Sequence, residues 1–86
     1  MTGEGCEDTQ KANKNIKQTA DVCEECVKEG THWVQLRVCL TCGHVGCCDS
    51  SVGRHATKHF DRTRHPVMAA FPSREWLWCY VHKTYG

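Results

Sequence analysis

The sequence predicts a small α+β domain, with short strands beside one main helix and a staple stronger than its apolar core. Three observations point there. A chain of 86 residues makes one domain at most, and at that length apolar burial alone leaves a fold marginal. Eight cysteines and six histidines supply a staple, four of each falling in CLTCGHVGCCDSSVGRHATKHFDRTRH, residues 39–65. The apolar residues come in short stretches set off by turn-forming residues, with a single helix-spaced segment between them.

Residues 1–21 are rich in Lys, Asn, Gln, Thr and Glu, with Ile16 almost the only large apolar residue. Such a composition buries too little surface to offset ordering, so a flexible N-terminal tail is expected unless Cys6 anchors it. The domain proper is expected over residues 22–86. Trp33, Leu36, Val38 and Leu40 mark a partly alternating extended stretch, and Val45 follows the Gly43 turn, which reads as two short strands. SSVGRHATKHF reads as a helix capped by Ser50 or Ser51, with His55, Ala56, His59 and Phe60 sharing a face. PVMAAF and WLWCYV read as two more short strands around the Pro72-Ser73 turn.

The N-terminal stretch has no apolar run that would serve as a signal peptide, and no transmembrane segment follows, so a cytoplasmic protein without a membrane partner is expected. In a reducing compartment, Cys-x-x-Cys pairs interleaved with histidines are more often metal ligands than disulfides. A net charge of +1 is too near balance to predict binding to nucleic acid or an anionic membrane by bulk electrostatics.

CEEC gives Cys23 and Cys26, CLTC gives Cys39 and Cys42, and Cys47, His55, His59 and His65 bring the donors to eight, enough for two tetrahedral sites. Two residues between thiolates let both reach one metal at a Zn–S distance of about 2.3 Å, with His nitrogen filling the remaining positions at about 2.0 Å. Three histidines among the donors suit zinc better than an iron–sulfur cluster.

CEEC, CLTCGHVGC, RHATKHF, RHPV and WCY, in this order and spacing, resemble the ubiquitin-protease-type zinc finger, over roughly residues 22–86. The resemblance implies a short twisted antiparallel sheet beside one helix, knitted by two or three zincs, and a non-catalytic module. It also implies how the ligands are shared. Cys23, Cys26, Cys47 and His55 would hold one zinc, and Cys39, Cys42, His59 and His65 the other. Cys48, directly after Cys47, competes for the third thiolate position; Cys47 keeps the family's distance from Cys42, whereas Cys48 lies closer to the family's distance from His55, and Cys47 is the expected ligand. Where three-zinc members have a further site, this chain offers Cys6, Asp8, Cys79 and His82, four competent donors. A tail without metal, with Cys79 as a small buried hydrophobe, is the competing reading.

In ubiquitin-binding members of the family a pocket takes the free Gly-Gly end of ubiquitin, with aromatic walls and an arginine after the third cysteine that pairs with the terminal carboxylate. Trp78, Tyr80 and Tyr85 match the aromatic frame, although Trp78 and Tyr80 would by themselves read as core, as do Trp33 and Trp76. Asp49 stands where the family has its arginine, and Arg37 where the family has an aromatic residue. An anion there repels an incoming carboxylate, which opposes ubiquitin as the partner unless Arg37 or Arg54 takes over. Asp49 also suits the N-terminal end of the expected helix.

The expectation is therefore a zinc-binding, non-enzymatic interaction module whose partner is a protein segment or C-terminal tail. Arg54, Lys58, Arg62 and Arg64 form a local basic run broken by Asp61, the basis of an alternative nucleic-acid reading, though most such runs are solvated helix faces. A thiol redox reading through Cys48, with His44 nearby in sequence, ranks lower because no third orienting residue accompanies them.

Overall fold

A strand buried along its whole length organises the chain. In the computed structural model, which describes residues 7–85, β3 (Val67–Phe71) has every residue buried, which for an uninterrupted apolar strand requires cover on both faces. It pairs with β1 (Leu36–Cys39) on one side and β4 (Leu77–Cys79) on the other. Strands β2 (Val45–Cys47) and β5 (Thr84–Tyr85) form the edges, giving the order β2-β1-β3-β4-β5, antiparallel throughout. The four expected strands are present. The two-residue β5 is an addition, too short for alternation to reveal.

Alternation along β3 splits the core in two. Val67, Ala69 and Phe71 join Leu36, Val38, Leu40, Val45 and Leu77 on one side, while Met68 joins Cys39 and Ala56 on the other. Helix α3 (His55–Thr63) covers the second side and buries His55, Ala56 and His59, three of the four residues expected to share its inner face.

The first side is covered by the N-terminal segment. Ala12 and Ile16 pack against the core there, Thr9 of α1 (Glu7–Lys11) is buried, and Thr19 donates its backbone N–H to the Gly43 carbonyl at 2.9 Å. Arg74 donates to the Lys14 carbonyl at 2.8 Å and to Gln18 at 3.2 Å. Residues 7–21 thus dock on the sheet, where composition alone predicts a flexible tail. The open apolar face needs a cover, and two small-to-medium apolar side chains with a few backbone hydrogen bonds are enough to provide it. Cys6, the expected anchor, lies outside the described residues.

Two further details differ from expectation. Neither Ser50 nor Ser51 caps α3; the helix begins at His55 after Arg54 in the left-handed region (φ 45°), with no side-chain cap, and the Ser51 hydroxyl instead accepts the Val34 N–H at 2.8 Å. A short helix, α2 (Glu24–Glu29), begins directly after Cys23 and is closed by Gly30 at φ 74°, where glycine carries no steric penalty. Six residues show too little of the helical period to be read from sequence.

Candidate functional site

Helix α2 turns CEEC into a ligand pair: Cys23 sits at its N-cap and Cys26 one turn on, so both sulfurs face the same way. Strand β2 delivers Cys47 and α3 delivers His55. Gly46 makes that meeting close, because a Cβ there would stand 2.7 Å from the Ala56 nitrogen. The His55 Nδ1 then lies 3.3, 3.4 and 3.3 Å from the sulfurs of Cys23, Cys26 and Cys47, and all four residues are buried. For a tetrahedral zinc with Zn–S near 2.3 Å and Zn–N near 2.0 Å, the S···N edge is about 3.5 Å. The cage has zinc's dimensions.

The second cage hangs on a tight turn. Gly43, at φ 83°, donates its N–H to the Cys39 carbonyl at 2.8 Å, curling CLTC so that both thiols address one point. His59 Nε2 lies 3.4 Å from Cys42 and His65 Nδ1 3.5 Å from Cys39, again the edge of a zinc tetrahedron. In both cages the four donor atoms lie within 4.8 Å of one another.

Neighbouring groups orient these donors, as second partners of metal-bound histidines commonly do. Glu29 stands 3.1 Å from His55 Nε2. His44 stacks on His59 at 4.5 Å between ring centroids, with its own Nε2 2.8 Å from Glu25. Burial pushes the Cys23 thiol up to about 12 and also raises Cys39 and Cys47, so without a cation these thiols keep their protons. Burial, with the charges of His44, His65 and Arg62, lowers His59 to about 4, leaving its imidazole neutral. Three buried thiols around one imidazole gain little as an apolar core but suit a divalent cation, which holds thiolates deprotonated. The donors fit zinc at both cages.

The two adjacent cysteines face different ways, and it is Cys47 that stands among the donors of the first cage. Cys47 enters the first cage, whereas the Cys48 sulfur contacts the Ser51 hydroxyl at 3.6 Å. Of the expected third site, Asp8, Cys79 and His82 come together: Cys79 Sγ lies 3.5 Å from both Asp8 Oδ2 and His82 Nδ1, and Asp8 Oδ2 lies 3.2 Å from His82 Nδ1.

Arg37, Asp49, Trp78, Tyr80 and Tyr85, the five expected pocket residues, line one cleft of about 420 Å³ on the α3 side of β4. Trp78 meets Tyr85 and Tyr80 edge-on at 4.8 and 6.5 Å. Trp76, Thr57 and Lys83 line it too, and sequence reasoning missed them. The signal for Trp76 was present, since residues 76 and 78 lie two apart on an extended stretch and share a face. Arg37 stacks its guanidinium over Trp76 at 4.5 Å and donates to the Leu36 carbonyl at 2.8 Å. The Asp49 carboxylate accepts the Thr57 hydroxyl from the first turn of α3. Burial and Asp49 raise the Tyr80 phenol, against a hydrogen bond from Thr57.

Two Cys/His tetrahedra, interleaved along one chain between a five-stranded antiparallel sheet and its helices, define a zinc-binding module. Residues 23–86 match the family described as Zn-finger in ubiquitin-hydrolases and other protein, and the chain belongs to that family. It is 38% identical over 73 residues to the NAD-dependent deacetylase sir2A of Dictyostelium discoideum. It is 40% identical over 63 residues to the BRCA1-associated protein of Homo sapiens, and 34% over 68 residues to Homo sapiens ubiquitin carboxyl-terminal hydrolase 45. These matches cover 85%, 73% and 69% of this chain but 13%, 10% and 8% of those proteins, so the chain corresponds to a small part of each. The solution NMR structure of protein RPA1320 from Rhodopseudomonas palustris superposes with a TM-score of 0.86 at 46% identity, covering 99% of this chain and 82% of that one.

Proposed function

We propose that this zinc module is a non-catalytic binding domain whose cleft takes a protein segment by its C-terminal tail. The observation that carries this reading is the cleft itself: aromatic rings of Trp76, Trp78, Tyr80 and Tyr85 wall it, and Arg37 is held in place beside them. Aromatic walls supply contact area at low entropic cost, and a guanidinium fixed on a ring is a ready fork for a carboxylate. Arg37 thereby takes the part that the family gives to the arginine replaced by Asp49. Kinship with ubiquitin carboxyl-terminal hydrolases supports a protein as the kind of partner. Asp49 repels the terminal carboxylate of a Gly-Gly end, which opposes ubiquitin itself as the partner to the extent that Arg37 does not offset it.

The thiols of both cages are placed to serve metal, and Cys48, which lines the cleft, has its sulfur on the Ser51 hydroxyl rather than on a histidine, which favours binding over thiol chemistry. A third zinc at Asp8, Cys79 and His82, completed by Cys6, belongs to the same proposal. So does a cytoplasmic setting, supported by the free state of the seven described cysteines. Among the described residues no helix is long and apolar enough to cross a membrane.

Titration with a library of C-terminal peptides, followed through backbone amide shifts, tests the reading. Shifts confined to the surroundings of Arg37, Asp49, Trp78 and Tyr80, and lost when the peptide is amidated, are expected. Shifts over residues 54–64 with an oligonucleotide, and none with any peptide, would overturn it in favour of nucleic acid.

A further inference from the structure

We propose that Glu25 and His44 couple the two cages, acting as positioning residues through which a filled first cage holds His59 in its place in the second. Both lie inside ligand motifs without being ligands. Glu25 directly precedes Cys26 on α2, and His44 follows the Gly43 turn that curls Cys39 and Cys42 together.

His44 reaches in three directions. Its carbonyl accepts the Cys39 N–H at 2.8 Å, its ring lies on the His59 ring at 4.5 Å and 13° from parallel, and its Nε2 stands 2.8 Å from Glu25 Oε1. A carboxylate only accepts, so Nε2 is the donor. With side chains 23% and 25% exposed, His44 and Glu25 are more sheltered than the fully solvated pairs that contribute little.

The His59 ring needs such a brace. Metal-bound histidines usually donate their second nitrogen to a carboxylate or carbonyl, which fixes the ring, and His55 follows that rule with Glu29 3.1 Å from its Nε2. His59 does not: its Nδ1 is buried and has no hydrogen-bond partner among the described residues. Its ring is held by packing instead, against the face of His44 and the edge of His65. What Glu29 does for His55 through a bond, His44 does for His59 through stacking, and Glu25 keeps His44 in position.

Coupling follows from where Glu25 sits. Helix α2 has six residues, too few to persist in water without tertiary support, and Cys23 and Cys26 tie it to the first cage. With that cage empty α2 loses its anchor, Glu25 leaves His44, and His59 loses its brace. Filling the first cage therefore raises the metal affinity of the second, and by reciprocity the second raises the first by the same factor. The second cage has more to gain, because all four ligands of the first are buried whereas Cys42 is exposed and His65 half-buried. The interleaved backbone also ties the cages together, but it is unchanged by substitution of these two side chains, which makes the two contributions separable.

Zinc-loaded wild type, Glu25→Ala, His44→Phe, the double variant and Glu25→Gln, each titrated with a chelator, test this. Imidazole nitrogen resonances of His55 and His59 report which cage is filled, and native mass spectrometry counts the zinc. In wild type both resonances should change at one chelator concentration. Glu25→Ala breaks the link, and His44→Phe keeps a ring on His59 while losing the bond to Glu25. Each should release the second cage at about tenfold lower chelator than the first. The double variant should be no worse than either single one, and Glu25→Gln, whose amide oxygen still accepts from His44, should keep the single step. Glu25→Ala and His44→Phe chains that still lose both cages together, weakened or not, would overturn the proposal and leave the backbone as the coupling. So would separate release in wild type, or a double variant in which the two effects add.

Discussion

Cys47→Ser should cost one zinc and most of the folding free energy that a structural zinc supplies, which is about 10 kcal/mol, whereas Cys48→Ser should keep both zincs and shift stability by about 1 kcal/mol. Native mass spectrometry and thermal melting check both. The sequence left these neighbours in competition because ligand spacing alone tolerates either; in the fold Cys47 ends β2 facing the first cage, while Cys48, just beyond the strand, turns its sulfur to the Ser51 hydroxyl. Asp49 was legible as a departure from the family, but its tie to Thr57 was not, since nothing in sequence brings residues 49 and 57 together. Asp49→Arg should remove a repulsion and add a donor for a Gly-Gly-ended free-acid peptide. At a desolvated pair that is a gain of about 2–5 kcal/mol, and less where water reaches it, measurable by calorimetry against the amidated peptide. At His59 the folded value lies near 4 against an ordinary 6.5. The unfolded chain therefore binds more protons in that window, and stability present above about 6.5 should drain away as pH falls towards about 4. A pH series of thermal melts checks the sign.

At the scale of elements, strands β1 to β4 and helix α3 announce themselves through alternation and helical spacing, and the eight donors through Cys-x-x-Cys and histidine spacing. The segments that sequence underrated are short or nearly apolar-free. Helix α2 and strand β5 offer six and two residues, and the N-terminal segment docks through Ala12, Ile16 and Thr9 rather than through a hydrophobic run. That docking brings Asp8 to Cys79 and His82. Ile16→Ala should then destabilise the domain by about 1–3 kcal/mol, below the range for a fully buried isoleucine because its side chain is only half-buried. Flexible-tail behaviour would instead give no change in the denaturant midpoint. Cys79→Ser should lower a stoichiometry of three zincs to two; a wild-type chain that never exceeds two zincs would refute the third site.

Taken whole, the molecule has two half-cores and two zinc cages whose ligands alternate along the chain. Residues 23 and 26 precede, and 47 and 55 follow, the Cys39–Cys42 pair of the other cage. Each metal therefore clamps segments that the other also needs. Small domains carry net stabilities of about 5–15 kcal/mol, so two structural zincs account for a share comparable to all of it. The most direct measurement is a chelator titration of the zinc-loaded protein, with metal count by native mass spectrometry and fold by circular dichroism. At least two zincs per chain, lost together with the folded signal in one cooperative step, is the expected result. A chain stripped of metal that keeps its folded spectrum and melting transition would contradict the zinc scaffold.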